Sequence, residues 1–178
     1  MLVPVRRIIT ETTAEGRSRI LSDGPSPHAV ETAPHRGLSN LWVTSSPTPD
    51  LSVEDGADQP VVLAPSGGGN IFRFFQLPPA GSLDNDAEGQ AAAHDVFEAM
   101  GAGSARIANA RHPSMHKTDS LDYIILLKGR VKLVLDEDET ILEPFDVVIQ
   151  RQTNHAWENL SPEPALLMAV LLDAPADA

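Results

Sequence analysis

His116-Lys117-Thr118-Asp119-Ser120-Leu121-Asp122-Tyr123-Ile124 is the stretch on which the fold turns. Drawn out as a strand, its side chains alternate, so His116, Thr118, Ser120 and Asp122 share one face. His112 joins them if the strand carries through Pro113. A face with two potential ligands packs poorly against a dry core, because buried polar groups without partners are costly. It must therefore line a cavity. Tyr123, of opposite parity, is expected outside. The same parity recurs downstream, where His155, Trp157 and Asn159 share a face of a second strand. Two strands that each present histidine and polar groups to one side predict a barrel interior that holds a ligand.

Outward from this stretch the chain reads as strand. Short β-branched runs separated by turn residues predict strands at 105–110, 120–127, 130–135, 140–142, 146–150, 155–159 and 165–172. Upstream, 6–10 and 17–21 flank Ala14-Glu15-Gly16 as an N-terminal hairpin, and 41–44 and 70–77 are further strands. Residues 45–69, rich in Ser, Pro, Asp and Gly, predict irregular loop with a short strand at 61–63. One helix is expected, over His94–Met100 and ended by Gly101, with residues 80–92 as loop. His94 covers the barrel or a dimer contact. His28 and His35, in a Pro-rich stretch, are expected as solvated surface histidines, and Phe72, Phe74 and Phe75 as core or interface residues. Gly67-Gly68-Gly69 lacks the Lys-Ser/Thr ending of a phosphate loop and is read as a flexible turn. Asp136–Glu139 lacks the spacing of a calcium loop and is read as a hairpin tip. Gly129 supplies a tight hairpin turn. The division expected is 1–104, an N-terminal β extension with loops and a short helix, and 105–178, the barrel core, in one structural domain.

Composition removes several function classes. The 178 residues carry a formal charge of −12, which repels phosphate backbones and anionic membrane surfaces. With no cysteine, disulfide and thiolate chemistry are excluded, and any metal must be held by His, Asp or Glu. No run approaches the roughly 20 apolar residues of a membrane span. Met1–Arg7 lacks the apolar core of a secretory signal, so a cytoplasmic location is expected. Small molecules and other proteins remain as partners.

From His116 to Asn159 the chain resembles the cupin superfamily, in particular its small single-domain members with an added N-terminal β segment. The first cupin motif is His-x-His, three or four residues, Glu, six residues, Gly. Here His116, Thr118, Asp122 and Gly129 stand at those places. The second motif is Pro-x-Gly, then a histidine with Asn four residues on. Here Pro144-Phe145-Asp146 lacks the glycine, and His155 and Asn159 keep the spacing. The resemblance implies an all-β, double-stranded β-helix or jelly-roll barrel with an N-terminal β extension and one short helix. It also implies a homodimer, with 6–10 or 71–77 as the strand that pairs across the interface.

In metal-binding cupins three histidines and a glutamate surround the metal. Only His116, Asp122 and His155 stand at those places here, and Thr118 replaces an imidazole. Two histidines and one carboxylate are still the facial set of open non-haem iron sites. They are the candidate catalytic residues and the candidate ligands of a divalent Fe, Mn, Ni or Zn. The competing readings are a metal-free histidine pair and Asp122 as the group orienting a histidine. His112, Thr118 and Trp157 are candidate pocket residues, with His112 toward the rim. Two functions are expected to compete. The first is a metal-dependent enzyme acting on a small organic or aromatic, polyketide-like substrate as dioxygenase, isomerase, decarboxylase or dehydratase. A metal-free form of it uses His116 or His155 as general acid or base. The second is a non-catalytic ligand-binding or sensing module.

Overall fold

A computed structural model describes residues 1–52, 54–82, 87–107 and 110–174. The strands are β1 (Arg6–Thr12), β2 (Ser18–Pro25), β3 (Ala29–Ala33), β4 (Arg36–Thr44), β5 (Asn70–Leu77), β6 (Ser120–Lys128), β7 (Val131–Leu135), β8 (Glu139–Leu142), β9 (Val147–Arg151), β10 (His155–Asn159) and β11 (Ala165–Asp173). The helix α1 spans Ala87–Ala99. The large sheet runs β3-β4-β5-β11-β6-β9 and the small one β10-β7-β8, all pairings antiparallel. This is the all-β barrel expected.

β11 fixes the geometry. It alternates Ala165, Leu167, Ala169 and Leu171 inward with half-buried neighbours outward, the pattern of a strand with one face on a core. Lying between β5 and β6, it sets Ile71, Leu171 and Asp122 in one row and Arg73, Ala169 and Ile124 in the next. Ile71, Leu126 and Leu167 from the large sheet close on Val131, Leu133 and Trp157 from the small one. Each large apolar side chain buried there contributes roughly 1.5–3 kcal/mol. Ile124, Trp157, Ala169 and Leu171 of this core also line the cavity that the polar face of β6 borders.

Several expectations need correction. The helix begins seven residues before His94, because Ala91-Ala92-Ala93 favours helix where the small residues read as loop. It buries Ala93 and Phe97, with Met100 buried just past its end, while His94 is exposed. Residues 105–110 are not a strand. A 3-10 turn covers Gly103–Ala105, Arg106 makes one bridge to His116, and 108 and 109 lie outside the described residues. Residues 61–63 form no strand, since the carbonyls of Val62 and Leu63 face the Arg73 guanidinium. Gly129 does not turn a hairpin, because β6 and β7 belong to different sheets. With φ of 97° and a would-be Cβ only 2.7 Å from the Ala165 Cβ, it is the corner where the chain changes sheet. The Gly67–Gly69 turn is specified: a Cβ at Gly69 would lie 1.9 Å from the Thr44 carbonyl, and Gly68 N–H donates to Asp173. Asp136–Glu139 does join β7 to β8. The 71–77 strand is hydrogen-bonded on both edges, by β4 and β11, and cannot pair with a second chain.

The N-terminal hairpin β1–β2 forms a separate two-stranded sheet. Two strands alone are marginal in water, so it needs an anchor. Arg7 supplies it with paired bonds to Asp55 at 2.7 and 2.6 Å and a third to the Leu41 carbonyl. His28 Nε2 lies 3.0 Å from the same carboxylate, so His28 is part of a half-buried latch rather than solvated. His35 is exposed.

Candidate functional site

His116 and His155 face one another across a single antiparallel bridge. His116 N–H donates to the His155 carbonyl and His155 N–H to the His116 carbonyl, both at 3.0 Å. Directly opposed residues of such a pair send their side chains to the same side. The two imidazoles therefore meet, with ring centroids 4.3 Å apart. Each Nδ1 lies 2.9 Å from a backbone carbonyl, Ser114 for His116 and Thr153 for His155. A carbonyl only accepts, so both Nδ1 atoms carry the proton. Burial pushes both imidazoles well below their usual range, and the neighbouring His116 lowers His155 further. Both rings are thus neutral, with a lone pair on Nε2.

The alternation read from 116–122 holds. Thr118, Ser120 and Asp122 are buried, while Lys117, Asp119 and Tyr123 are exposed. His116, Thr118, Asp122, His155 and Trp157 line one cavity of about 130 Å³. One water needs about 10–15 Å³ by this measure, so the space suits a small organic molecule. The aromatic sequence Phe97, His116, His155, Trp157 and Phe75, with neighbouring centroids 4.3 to 6.2 Å apart, forms a continuous wall. Val96 and Phe97 of α1 line it as well, with Met100 just past the helix end. His112 is not on this face: it lines an adjacent cleft with Arg36 and Glu158, because the turn at 112–115 reverses the chain before the strand parity begins.

Asp122 is 4% exposed, and its Oδ1 has no hydrogen-bond partner. Burial pushes it up to about 6, opposed in part by Ser120 and by the Arg73 guanidinium. Arg73, 2% exposed, donates to the carbonyls of Leu63 (3.0 Å) and Val62 (2.6 Å). Burial lowers it to about 10 while the Asp122 charge opposes that fall. Sequence reasoning missed Arg73, although a lone charge in Asn70–Leu77, on the parity of Ile71 and Phe75, was a readable signal. It also missed Arg36, which lines the cavity from the start of β4 and carried no signal within its Pro-flanked stretch.

The two Nε2 atoms fit ligands, since metal-bound histidines hold their other N–H on a carbonyl in just this way. Asp122 does not complete them. It sits one row into the large sheet, under the influence of Arg73, and among the described residues no three His, Asp or Glu groups come close enough to hold an ion. Thr118 adds neither an imidazole nor a carboxylate, and its hydroxyl accepts from Ser120 at 2.9 Å. The two-His, one-carboxylate set is therefore not assembled.

Residues 103–171 match the family model of the cupin domain, Cupin_2. Much of the antiparallel barrel and the motif spacing around His116 and His155 fall in the same segment, which is therefore similar to a cupin domain. Among curated relatives it is similar to "Phomopsin biosynthesis cluster protein C'" of Diaporthe leptostromiformis, 52% identical over 48 residues, 26% of this chain and 25% of the relative. It is also similar to the "Cupin-domain-containing oxidoreductase virC" of Hypocrea virens, 43% identical over 63 residues, 33% of this chain and 32% of the relative. A similarly named fogC of Aspergillus ruber is 40% identical over 63 residues, 33% of this chain and 31% of the relative. The chain thus matches no more than about a third of the length of these relatives. Among the described residues no helix is long and apolar enough to cross a membrane.

Proposed function

We propose that this protein is a small-molecule enzyme that moves a proton on a flat, largely apolar substrate held in the barrel. The observation that carries this reading is the placement of Asp122 and the neutral His116–His155 pair around one aromatic-walled cavity. General acid–base catalysis works best with a group titrating near the working pH, and Asp122, pushed up to about 6, is such a group. It takes a proton from a substrate C–H or O–H as carboxylate, or gives one as acid. The two Nε2 lone pairs accept hydrogen bonds from substrate hydroxyl or N–H groups and fix its orientation. The apolar side chains of Val96, Phe97 and Met100 limit water. Isomerisation and dehydration are the reaction types this arrangement serves most directly, and the named biosynthetic relatives are compatible with an enzyme of secondary metabolism.

Solvent-deuterium exchange tests it without knowledge of the product. A panel of small conjugated ketones and acids is incubated with the protein in D₂O and followed by proton NMR. Loss of a C–H signal with the native protein, and its persistence with Asp122→Asn, is expected for at least one member. Exchange at the same rate with both proteins, or with neither, would leave a binding module as the better reading.

A further inference from the structure

Resting on that cavity reading, we infer that the substrate is an anion, a conjugated or aromatic carboxylate, and that Arg36 is the residue that selects it by its charge. Arg36 begins β4, directly after the tight β3–β4 turn where His35 takes a φ of 62°. Its pairing with Ala33 fixes the backbone, and its side chain lines both the cavity and the outer cleft around His112. It stands where the two adjoin.

Its charge has no counter-ion among the described residues. Among the described residues Arg36 forms no ion pair and no side-chain hydrogen bond; its carbonyl alone accepts, from Thr32. Glu158, which shares the outer cleft, is bound to Lys132 at 2.9 Å. By contrast, Arg73 has two carbonyls on its terminal guanidinium nitrogens and the Asp122 charge nearby, and only its Nε is without a partner. Burial disfavours the charge of Arg36, and that charge in turn disfavours protonation of His116 and His112. A partly buried guanidinium held among neutral imidazoles and apolar walls is costly unless something occupies it. Its planar fork matches a carboxylate in two parallel bonds.

The rest of the ligand follows from the wall. The face formed by Phe97, His116, His155 and Trp157 favours a planar π system. With its carboxylate at Arg36, such a molecule lays its ring along this face and points its far end toward Asp122 at the floor of the cavity. Arg36 is a specificity residue in this arrangement and takes no part in proton transfer.

The experiment compares benzoate with its neutral isostere benzamide by isothermal titration calorimetry. The native protein, Arg36→Met and Arg36→Lys are used, each checked by circular dichroism. Benzoate is expected to bind the native protein about tenfold or more tighter than benzamide, the scale of a charge-assisted pair. Arg36→Met should bring benzoate down to the benzamide level and leave benzamide unchanged, with Arg36→Lys intermediate. Equal binding of the two probes by the native protein, or equal losses in Arg36→Met, overturns the role of Arg36 and leaves the cavity reading standing. Binding of neither probe at millimolar concentration overturns both. Charge selectivity that survives while Asp122→Asn shows unchanged proton exchange keeps this inference and removes the catalytic one.

Discussion

At the residue scale, the groups that make the cavity chemically useful also set its pH behaviour, and they act in opposite directions. His116 and His155 are held below their unfolded range, so their neutral burial stabilises the protein above about pH 6.5. That contribution is lost as pH falls below this value, because the unfolded chain takes up protons that the folded one refuses. Each histidine contributes a slope of up to about 1.4 kcal/mol per pH unit in that window. Asp122 has its folded value raised to about 6, so its contribution is fully present below its unfolded value and lost as pH rises through about 6. Replacing it with Asn removes a buried charge at neutral pH. Asp122→Asn is expected to gain roughly 1–3 kcal/mol in urea unfolding at pH 7.5, less at pH 4.5 and almost nothing near pH 3, below the unfolded value. A loss at pH 7.5 would mean that its attraction to Arg73 outweighs the burial cost. Two imidazoles without a third ligand predict weak divalent binding that gel filtration strips, and one Zn²⁺ or Ni²⁺ retained per chain would contradict the separation of Asp122 from the pair.

At the scale of elements, the barrel depends on segments outside it. The latch of Arg7, Asp55 and His28 ties β1 and the 45–58 stretch to β4. Arg7 pulls the Asp55 carboxyl far below its usual range. This stabilisation is present above about pH 4 and is lost as acid protonates the carboxylate. Asp55→Asn should cost about 1–3 kcal/mol, and hydrogen exchange should rise selectively in 6–12 and 45–58. A uniform rise over the barrel strands would place the latch in the global unfolding unit instead. This element was illegible in the sequence, since its three residues are brought together only by the fold. The strands of the barrel were legible, because alternation is a local signal: β5 and β10 fall where expected, and the face of His116 to Asp122 does too. The start of α1 was obscured by an alanine run that reads equally as loop. The cavity histidines could be found from parity, whereas Arg36 and Arg73 owe their role to long-range pairing of β4, β5 and β11. Asp122 could be placed on the right face, but not at its distance from the histidines, which depends on which sheet each strand joins.

At the scale of the whole molecule, free edges and net charge decide what can approach. With β5 enclosed, β1 is the remaining candidate of the two for pairing across a homodimer, and a light-scattering mass of a single chain at micromolar concentration would refute that role. The formal charge of −12 opposes the arrival of the anion that Arg36 is inferred to hold. The two fields differ in range. The surface carboxylates act over distances comparable to the screening length, about 10 Å at 0.1 M salt, whereas a guanidinium in contact with its ligand is little screened. Added salt should therefore weaken the repulsion more than the attraction. The association rate of benzoate, followed by stopped-flow tryptophan fluorescence, is expected to rise by a few-fold between about 0.01 and 0.15 M salt, with the dissociation rate nearly constant. Benzamide should show no such dependence. An association rate for benzoate that falls with salt would mean that the entrance itself is electropositive, with Arg36 felt well beyond contact distance.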